Sequence, residues 1–270
     1  MPVSEVKSPL GQAQGSSARR RWPRWNWRYS WLHLNWQRLA RELLYVAIFA
    51  LLYEEVRDHI VQDGSMAARH ALSIVSAERT LGLFHEHALQ AVFIKIDPIV
   101  DMFNVYYGAT HFLVPACILI WLVLRHPAHY ARARTALVVI TGLAFLVFWL
   151  FPVAPPRLLP GRFGIVDTLV AVKSGHFEST LINSVGDKYA SMPSLHVAWA
   201  VWCALALYPA VRHVILRVLA VAYPVATTLV VVATGNHFFL DAIAGAALAV
   251  GVWLAVMRRP AWGGRWRVPR

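Results

Sequence analysis

The hydrophobic positions of this chain gather in long blocks rather than in short amphipathic runs. Six blocks approach or reach the length of about 20 apolar residues that a helix needs to cross a bilayer. They lie near residues 39–53, 106–124, 135–153, 193–208, 214–233 and 238–257. This pattern predicts an all-α, polytopic membrane protein built as a six-transmembrane helical bundle.

The long connection between the first two blocks has a pattern of its own. Between residues 71 and 96 apolar side chains recur at helical spacing, at Leu81, Phe84, Ala88, Val92 and Ile96. The charged residues of this segment mostly lie off that stripe; they are Glu78, Arg79, Glu86 and Lys95. The pattern predicts an amphipathic helix in the first outer loop, lying in the membrane interface. It serves either as structural support or as a lid over a lipid-entry gap.

The distribution of charge orients the bundle. The net charge is +12, and arginines cluster before the first block, after the last, and after the second and fourth. The positive-inside rule places both termini in the cytoplasm and the connections 56–105 and 154–192 outside. We therefore expect a basic, Trp-rich tail and interfacial anchor over 1–37, a membrane catalytic domain over 38–258, and a basic cytoplasmic tail over 259–270. A nucleic-acid partner is not expected, because no groove-reading or stacking motif accompanies the charge.

Composition indicates the compartment. Cys117 and Cys203 both lie inside apolar blocks, so a disulfide framework is not expected. The N-terminal stretch is polar and Arg-rich and lacks the apolar core of a secretory signal. A bias towards Arg over Lys, and towards Ala, Val and Trp, is typical of a high-GC bacterium. The prediction is an integral protein of a bacterial plasma membrane.

Three ionisable residues inside the blocks are the candidates for chemistry, since such groups are costly in a bilayer. His196 ends the run Ser-Met-Pro-Ser-Leu-His at 191–196. His237 and Asp241 lie four residues apart in the run Thr-Gly-Asn-His-Phe-Phe-Leu-Asp at 234–241. The predicted topology places both histidines at the outer membrane face. We expect Asp241 to accept a hydrogen bond from one ring nitrogen of His237, which leaves the other nitrogen as a nucleophile.

The helix starts beside these residues predict an anion site. Two helix N-termini facing one pocket offer free N–H groups, most naturally to phosphate. Ser194 and Asn236 lie in these turns, as caps or as phosphate contacts. Arg157 either reaches the lipid headgroups or binds phosphate, and Lys188 is either an ordinary loop charge or a phosphate ligand. His111, inside the second block, either packs or contacts substrate.

The two motifs resemble those of a known family. Pro-Ser-Leu-His at 193–196, followed by a His-x-x-x-Asp element at 237–241, is similar to the type-2 phosphatidic acid phosphatase superfamily. The leucine of the first motif, the Gly-Asn-His of the second, and Phe-Pro-Val-Ala-Pro-Pro-Arg at 151–157 resemble the branch that contains inositol phosphorylceramide synthase. The resemblance covers roughly residues 76–256.

The resemblance implies a mechanism. His237 would attack phosphorus to form a phosphohistidine, Asp241 would orient it, and His196 would protonate the leaving alkoxide and then deprotonate the acceptor. The substrate would be a lipid-linked phosphate drawn from the membrane, and the acceptor water or the hydroxyl of a polyol or sugar. No metal or other cofactor is expected.

The chain also departs from the superfamily pattern. The first motif usually supplies a lysine and an Arg-Pro pair, and here Arg157 is the one good candidate. An arginine usually precedes the nucleophile by six residues, and that position is Val231. Lys188, Arg162 and Tyr189 are the candidates to complete the phosphate site.

Three functional classes follow. A lipid phosphatase and a phosphotransferase, including an inositolphosphotransferase-like enzyme, differ only in the acceptor, and the resemblance favours transfer. A b-type cytochrome would need facing histidine pairs deep in two spans. A transporter or flippase would be expected to show broken helices in inverted repeats, and no repeat is visible.

Overall fold

The computed structural model describes Leu44 and residues 63–159, 161–168 and 189–258. The chain divides into two units between residues 47 and 48, and all the helices described below belong to the second. In this part of the chain the helices are α1 Gly64–Leu81, α2 Glu86–Phe93, α3 Asp97–Arg125, α4 Pro127–Leu150, α5 Leu195–Leu207, α6 Val214–Ala233 and α7 Phe239–Arg258. A 3₁₀ turn, Pro156–Leu158, lies between α4 and α5.

Four of these helices, α3, α4, α6 and α7, are long and apolar enough to cross a membrane. Beyond one isolated bridge between Val153 and Ala190, the described residues form no strand, so the prediction of an all-α membrane protein is confirmed. The predicted span near 39–53 lies outside the described residues except for Leu44, which is helical. A total of six spans therefore stays a prediction.

The fourth predicted span, α5, is short. Its 13 residues extend about 20 Å, less than the hydrocarbon thickness of about 30 Å. By contrast the 29 residues of α3 extend about 44 Å. By length, α5 alone does not cross the hydrocarbon layer.

The predicted boundaries differ most at the starts of α3 and α4. The α6 boundaries match the sequence pattern, whereas α3 begins at Asp97 and α4 at Pro127, several residues before their apolar blocks. Each helix has a proline in its first turn, where the missing N–H costs nothing. Because these first turns are polar, they lie outside the apolar blocks, and the pattern did not predict them as helical.

The central helix of the bundle is α5, which contacts α3, α4, α6 and α7. Two of its tryptophans anchor it to α4. The indole N–H of Trp199 donates to the Thr141 hydroxyl at 3.0 Å, and that of Trp202 donates to the Ala133 carbonyl at 2.8 Å. Both indole N–H groups are thereby satisfied inside an apolar core.

The start of α5 also touches α7 closely. The Ser194 N–H donates to the Asp241 carbonyl at 2.9 Å. A Cβ atom placed on Gly245 of α7 would lie 2.3 Å from the Ser194 carbonyl oxygen. A glycine at this position is therefore what allows the two helices to meet.

The predicted amphipathic helix is two helices, so the prediction of one continuous helix is wrong. Gly82 ends α1 in the left-handed conformation with φ of 69°, which glycine adopts without strain. The orientation also differs from the simple expectation for an amphipathic helix. Leu81 and Val92 are 62% and 63% exposed, whereas Glu78 and Glu86 are 0% and 1% exposed. The apolar stripe faces outward and the carboxyl groups face the protein.

The connections that lie beside the starts of α5 and α7 are fixed to one another by backbone and amide hydrogen bonds. The Val153 N–H donates to Tyr189, and the Ser191 N–H donates to Val153, at 2.8 and 3.2 Å. The Gln90 amide on α2 forms a pair with the backbone of Val166, accepting at 2.7 Å and donating at 2.9 Å. These bonds hold the segments 151–159, 161–168 and 189–194 over the end of the bundle at which α5 and α7 begin.

We expect Gly245→Ala to destabilise the protein, because the added methyl group must displace the start of α5. Overpacking of this kind costs about 1–3 kcal/mol in the free energy of unfolding. Thermal unfolding in detergent measures the effect as a lower midpoint. Gly251→Ala, on the same helix and with open space around its Cβ position, is the matched control and should gain up to about 1 kcal/mol from helix propensity. Equal midpoints for the two variants would contradict the close contact.

Candidate active site

His237 lies two residues before the start of α7, and its ring has a defined hydrogen-bond partner. The Nδ1 atom is 2.9 Å from the Ser191 carbonyl oxygen and 3.6 Å from Oδ2 of Asp241. The predicted hydrogen bond to Asp241 is therefore wrong, because the nearer acceptor is a backbone carbonyl. A carbonyl can only accept, so Nδ1 carries the hydrogen and Nε2 keeps an unshared pair. Within the described residues nothing hydrogen-bonds Nε2.

Asp241 is fully buried in the first turn of α7. Its Oδ2 atom accepts the Ser191 hydroxyl hydrogen, and also the Phe238 N–H at 2.9 Å. Ser191 thus contacts both the ring of His237 and the carboxylate of Asp241. A buried carboxylate 3.6 Å from the imidazole favours any state in which that ring is positively charged.

His196 lies in the first turn of α5, close to His237, with ring centroids 5.7 Å apart. Its ring is stacked between Tyr107 and His111 of α3, at centroid distances of 4.1 Å on each side. On its far side His111 stacks on Trp199 at 4.3 Å. The stack leaves the His196 ring little rotational freedom.

His111 is also buried, with 4% exposure, and its Nδ1 atom has no hydrogen-bond partner among the described residues. Buried polar atoms of this kind are uncommon, because an unmade hydrogen bond costs free energy. The structure therefore places His111 against His196 with a ring nitrogen whose hydrogen-bonding capacity is unused.

Arg157 is held against the chain segment that precedes His237. Its Nε–H donates to Oδ1 of Asn236 at 2.8 Å, and Nη1 forms an ion pair with Asp167 at 3.2 Å. The Asn236 amide nitrogen in turn donates to the Thr234 hydroxyl at 2.8 Å. Both ends of the Asn236 amide are thus engaged, and one of them orients the guanidinium group.

Gly235 allows this close approach. Its φ of 72° lies in the left-handed region, and a Cβ atom there would lie 3.0 Å from Ile165 and 3.4 Å from the Arg157 Cβ. Its carbonyl accepts the Arg157 N–H at 2.9 Å. The group that comes close to the backbone at this glycine is therefore the protein's own Arg157 segment.

Ser194 and Lys188 are the remaining candidate phosphate ligands. Ser194 is buried and caps α5, since its Oγ accepts the Val197 N–H at 3.4 Å. Lys188 lies outside the described residues. Within residues 63–159, 161–168 and 189–258, the His, Cys, Asp and Glu side chains form no group of three arranged to hold a metal ion.

The start of α7 does not offer the free N–H groups that the sequence predicted. The N–H of Phe238, just before the helix, and the first two N–H groups of α7 each donate to a carboxylate. The pairs are Phe238 with Asp241 at 2.9 Å, Phe239 with Glu86 at 3.2 Å, and Leu240 with Glu78 at 2.7 Å. Burial, followed by the hydrogen bond with the Glu86 carboxyl, raises the pKa of Glu78 to about 9. Three acidic side chains thus occupy the positive end of the helix dipole.

Sequence reasoning missed the site contacts of Glu78, Glu86 and Ser191. The two glutamates were identified only as charged residues off the apolar stripe. Their position off the apolar stripe indicated a solvated face. The carbonyl of Ser191 carries no signal in the sequence at all.

The described bundle is that of an integral membrane protein with two imidazoles and a carboxylate gathered where α5 and α7 begin. A comparison with protein families matches residues 72–255, more than half of the chain, to the PAP2 superfamily. The chain belongs to the PAP2 superfamily. Membership indicates phosphatase or phosphotransferase activity on lipid phosphates. No curated protein and no solved structure gives a significant match.

Proposed function

We propose that the protein is a membrane enzyme that cleaves or transfers a phosphate-ester group of a lipid-linked substrate, with His237 as the nucleophile. The observation that carries the proposal is the environment of that ring. Nδ1 is committed to the Ser191 carbonyl, and Nε2 is left unpaired near the second imidazole of His196. A centroid separation of 5.7 Å allows one phosphoryl group to contact both rings.

The first step forms a covalent intermediate. Nε2 of His237 attacks phosphorus, the bond from phosphorus to the leaving oxygen breaks, and His196 donates a proton to that oxygen. The product of this step is a phosphohistidine with a positively charged ring. Asp241 stabilises that charge from the Nδ1 side.

The second step returns the enzyme to its starting state. His196 removes a proton from an acceptor hydroxyl, whose oxygen attacks phosphorus while the phosphorus–nitrogen bond breaks. With water as acceptor the enzyme is a lipid phosphatase; with a polyol or sugar hydroxyl it is a phosphotransferase. The likeness of the two motifs to the inositol phosphorylceramide synthase branch favours an inositolphosphotransferase-like reaction, with simple hydrolysis as the alternative.

Recognition of the phosphate is assigned to Arg157 and to the first turn of α5. Carboxylates occupy the first turn of α7, so that helix cannot supply the N–H groups. Arg157 has five N–H donors in all, of which Asn236 and Asp167 engage two, so donors remain for phosphate oxygens. Asn236 and Ser194 act by holding Arg157 and α5 in place, Lys188 is a further candidate ligand, and His111 contacts the substrate through its unused ring nitrogen.

The distribution of arginines supports the remaining parts of the proposal. The active site faces away from the cytoplasm, both termini lie in the cytoplasm, and the membrane is a bacterial plasma membrane. Lipid substrate would then reach the site from the outer leaflet.

The two histidines should differ in their effect on turnover. His237→Ala should abolish it, because no phosphohistidine can form. His196→Ala should lower kcat by about 10²- to 10⁴-fold, the usual contribution of an acid–base group, and less on substrates with acidic leaving groups. His213→Ala, an exposed histidine at the start of α6, is the control and should behave as wild type. Normal turnover by a folded His237→Ala variant would rule out the mechanism.

Arg157→Ala should lower kcat/KM by about 10²- to 10³-fold, as expected for a group that stabilises phosphoryl charge in the transition state. Arg157→Lys should recover only part of the loss, because lysine keeps the charge and loses the planar fork of donors. Arg162→Ala, at an exposed arginine of the same connection, is the matched control. A larger loss at Arg162 than at Arg157 would show that the phosphate site is assigned to the wrong arginine.

The acceptor can be determined by product analysis. The purified protein is incubated with a panel of lipid phosphates, with and without myo-inositol, and the products are identified by mass spectrometry. A new inositol conjugate would support transfer, and free phosphate alone would support hydrolysis. Vanadate, which mimics five-coordinate phosphorus, should inhibit either reaction. Turnover of no lipid phosphate by folded protein would overturn the proposal.

A further inference from the structure

Two buried carboxyl groups that contact the first turn of α7 have no role in the chemistry described so far. Glu78 on α1 is 0% exposed, and Glu86 on α2 is 1% exposed. One oxygen of each accepts an N–H from the first turn of α7, Leu240 to Glu78 at 2.7 Å and Phe239 to Glu86 at 3.2 Å. The helices α1 and α2, which are not among the four membrane-spanning candidates, thus contact the first turn of α7, the helix that follows His237.

The other oxygen of each carboxyl has no hydrogen-bond partner in the described part of the chain. Oε2 of Glu78 and Oε2 of Glu86 are both buried without a partner among the described residues. The two carboxyls lie close together because they accept the consecutive N–H groups of Phe239 and Leu240. Two buried carboxylates cannot remain ionised side by side. A single proton between them turns one into a donor and satisfies both oxygens.

No cation in the described part of the chain replaces that proton. The charged group of α7 that faces Glu78 is Asp241, and the one from α2 is Glu86, both acidic. Arg79, the next residue on α1, turns away and lies over the Phe84 ring at 5.0 Å. His87, on α2, is exposed. Neutralisation by a proton is therefore the means this site has to keep the carboxyls buried.

We propose that Glu78 and Glu86 share one proton and act together as positioning residues that hold His237 in its reactive orientation. The inference rests on the function proposed above for His237. With the proton in place, both carboxyls cap the first turn of α7, and that turn carries Asp241 and follows directly on the nucleophile. Loss of the proton puts two negative charges in contact. Their repulsion withdraws the caps and lets the His237 segment move relative to His196.

Glu78→Gln isolates the role of the proton. The amide oxygen can still accept the Leu240 N–H, and the amide nitrogen can donate to Glu86 as the shared proton would. We expect this variant to retain kcat within about threefold of wild type near neutral pH, whereas Glu78→Ala and Glu86→Ala lose about 10²-fold, the cost of misplacing a reactive group by about 1 Å. KM should change by less than about threefold, because Arg157 is also held by its ion pair with Asp167, which lies outside the His237 segment. Asp97→Asn, at an exposed carboxylate at the start of α3, is the control.

The pH dependence of the thermal midpoint and of kcat is a second measurement. A purely structural role of the side chains would not change it. The raised pKa of Glu78 means that the folded protein binds this proton more tightly than the unfolded chain does. Stability from this source is complete below the ordinary carboxyl pKa and is lost as pH rises through the raised value. The thermal midpoint of wild type should therefore fall as pH rises from the ordinary carboxyl pKa of 4.5 to about 9, and kcat should fall as pH passes about 9. Glu78→Gln should flatten both curves.

The outcomes separate the two proposals. Parallel midpoint curves for wild type and Glu78→Gln would overturn the shared proton, even if the alanine variants do not fold. A rise in KM with unchanged kcat in the alanine variants, or activity lost equally in the glutamine and alanine variants at neutral pH, would overturn the positioning role. If wild type turns over no lipid phosphate, the proposed function fails while the midpoint curves still test the proton.

Discussion

The fold of this site depends on the cost of placing charge at the end of an apolar bundle. A buried carboxylate is tolerated only where strong donors surround it. Three consecutive N–H groups at the start of α7 are such donors, and each is bound by a carboxylate from a different helix: Asp241 from α7 itself, Glu86 from α2 and Glu78 from α1. The positive end of the helix dipole therefore faces the protein's own acidic side chains. For this reason the proposed function assigns recognition of an anionic substrate to α5 and to Arg157.

The convergence of His196, His237 and Asp241 is a consequence of patterns that can be read along the chain. Apolar blocks fix the number of times the chain turns back between positions 193 and 257, so α5 and α7 begin at the same end. The i,i+4 spacing then brings Asp241, in the first turn of α7, to within 3.6 Å of Nδ1 of His237, which lies just before that turn. Local spacing and alternation of direction are properties of the sequence itself, which is why this part of the site was predicted.

The parts that were not predicted depend on contacts between distant segments or on which solvent surrounds a helix. The hydrogen bond that fixes the His237 tautomer comes from a carbonyl at Ser191, 46 residues away, and every residue has such a carbonyl. In water, an amphipathic helix buries its apolar stripe. Here Leu81 and Val92 face outward and Glu86 faces the core, which is the arrangement expected of a helix whose apolar side contacts lipid. The spacing of apolar and polar residues along the sequence is the same whether the apolar side of the helix faces the core or faces lipid.

The described helices divide into two groups with different contributions. The membrane-spanning candidates and α5 carry His196, Asp241 and the rings stacked against His196. The helices α1 and α2 and the connections 151–159, 161–168 and 189–194 carry the carboxyl caps, the Ser191 carbonyl and Arg157. In the proposed reaction, hydrolysis and transfer use the same phosphohistidine and differ only in which oxygen reaches it. The proposed roles of His196, His237 and Asp241 are the same for both acceptors. The proposal therefore assigns selection of the acceptor to these surrounding segments, whose backbone is fixed by Gln90 and the Val153 bridge.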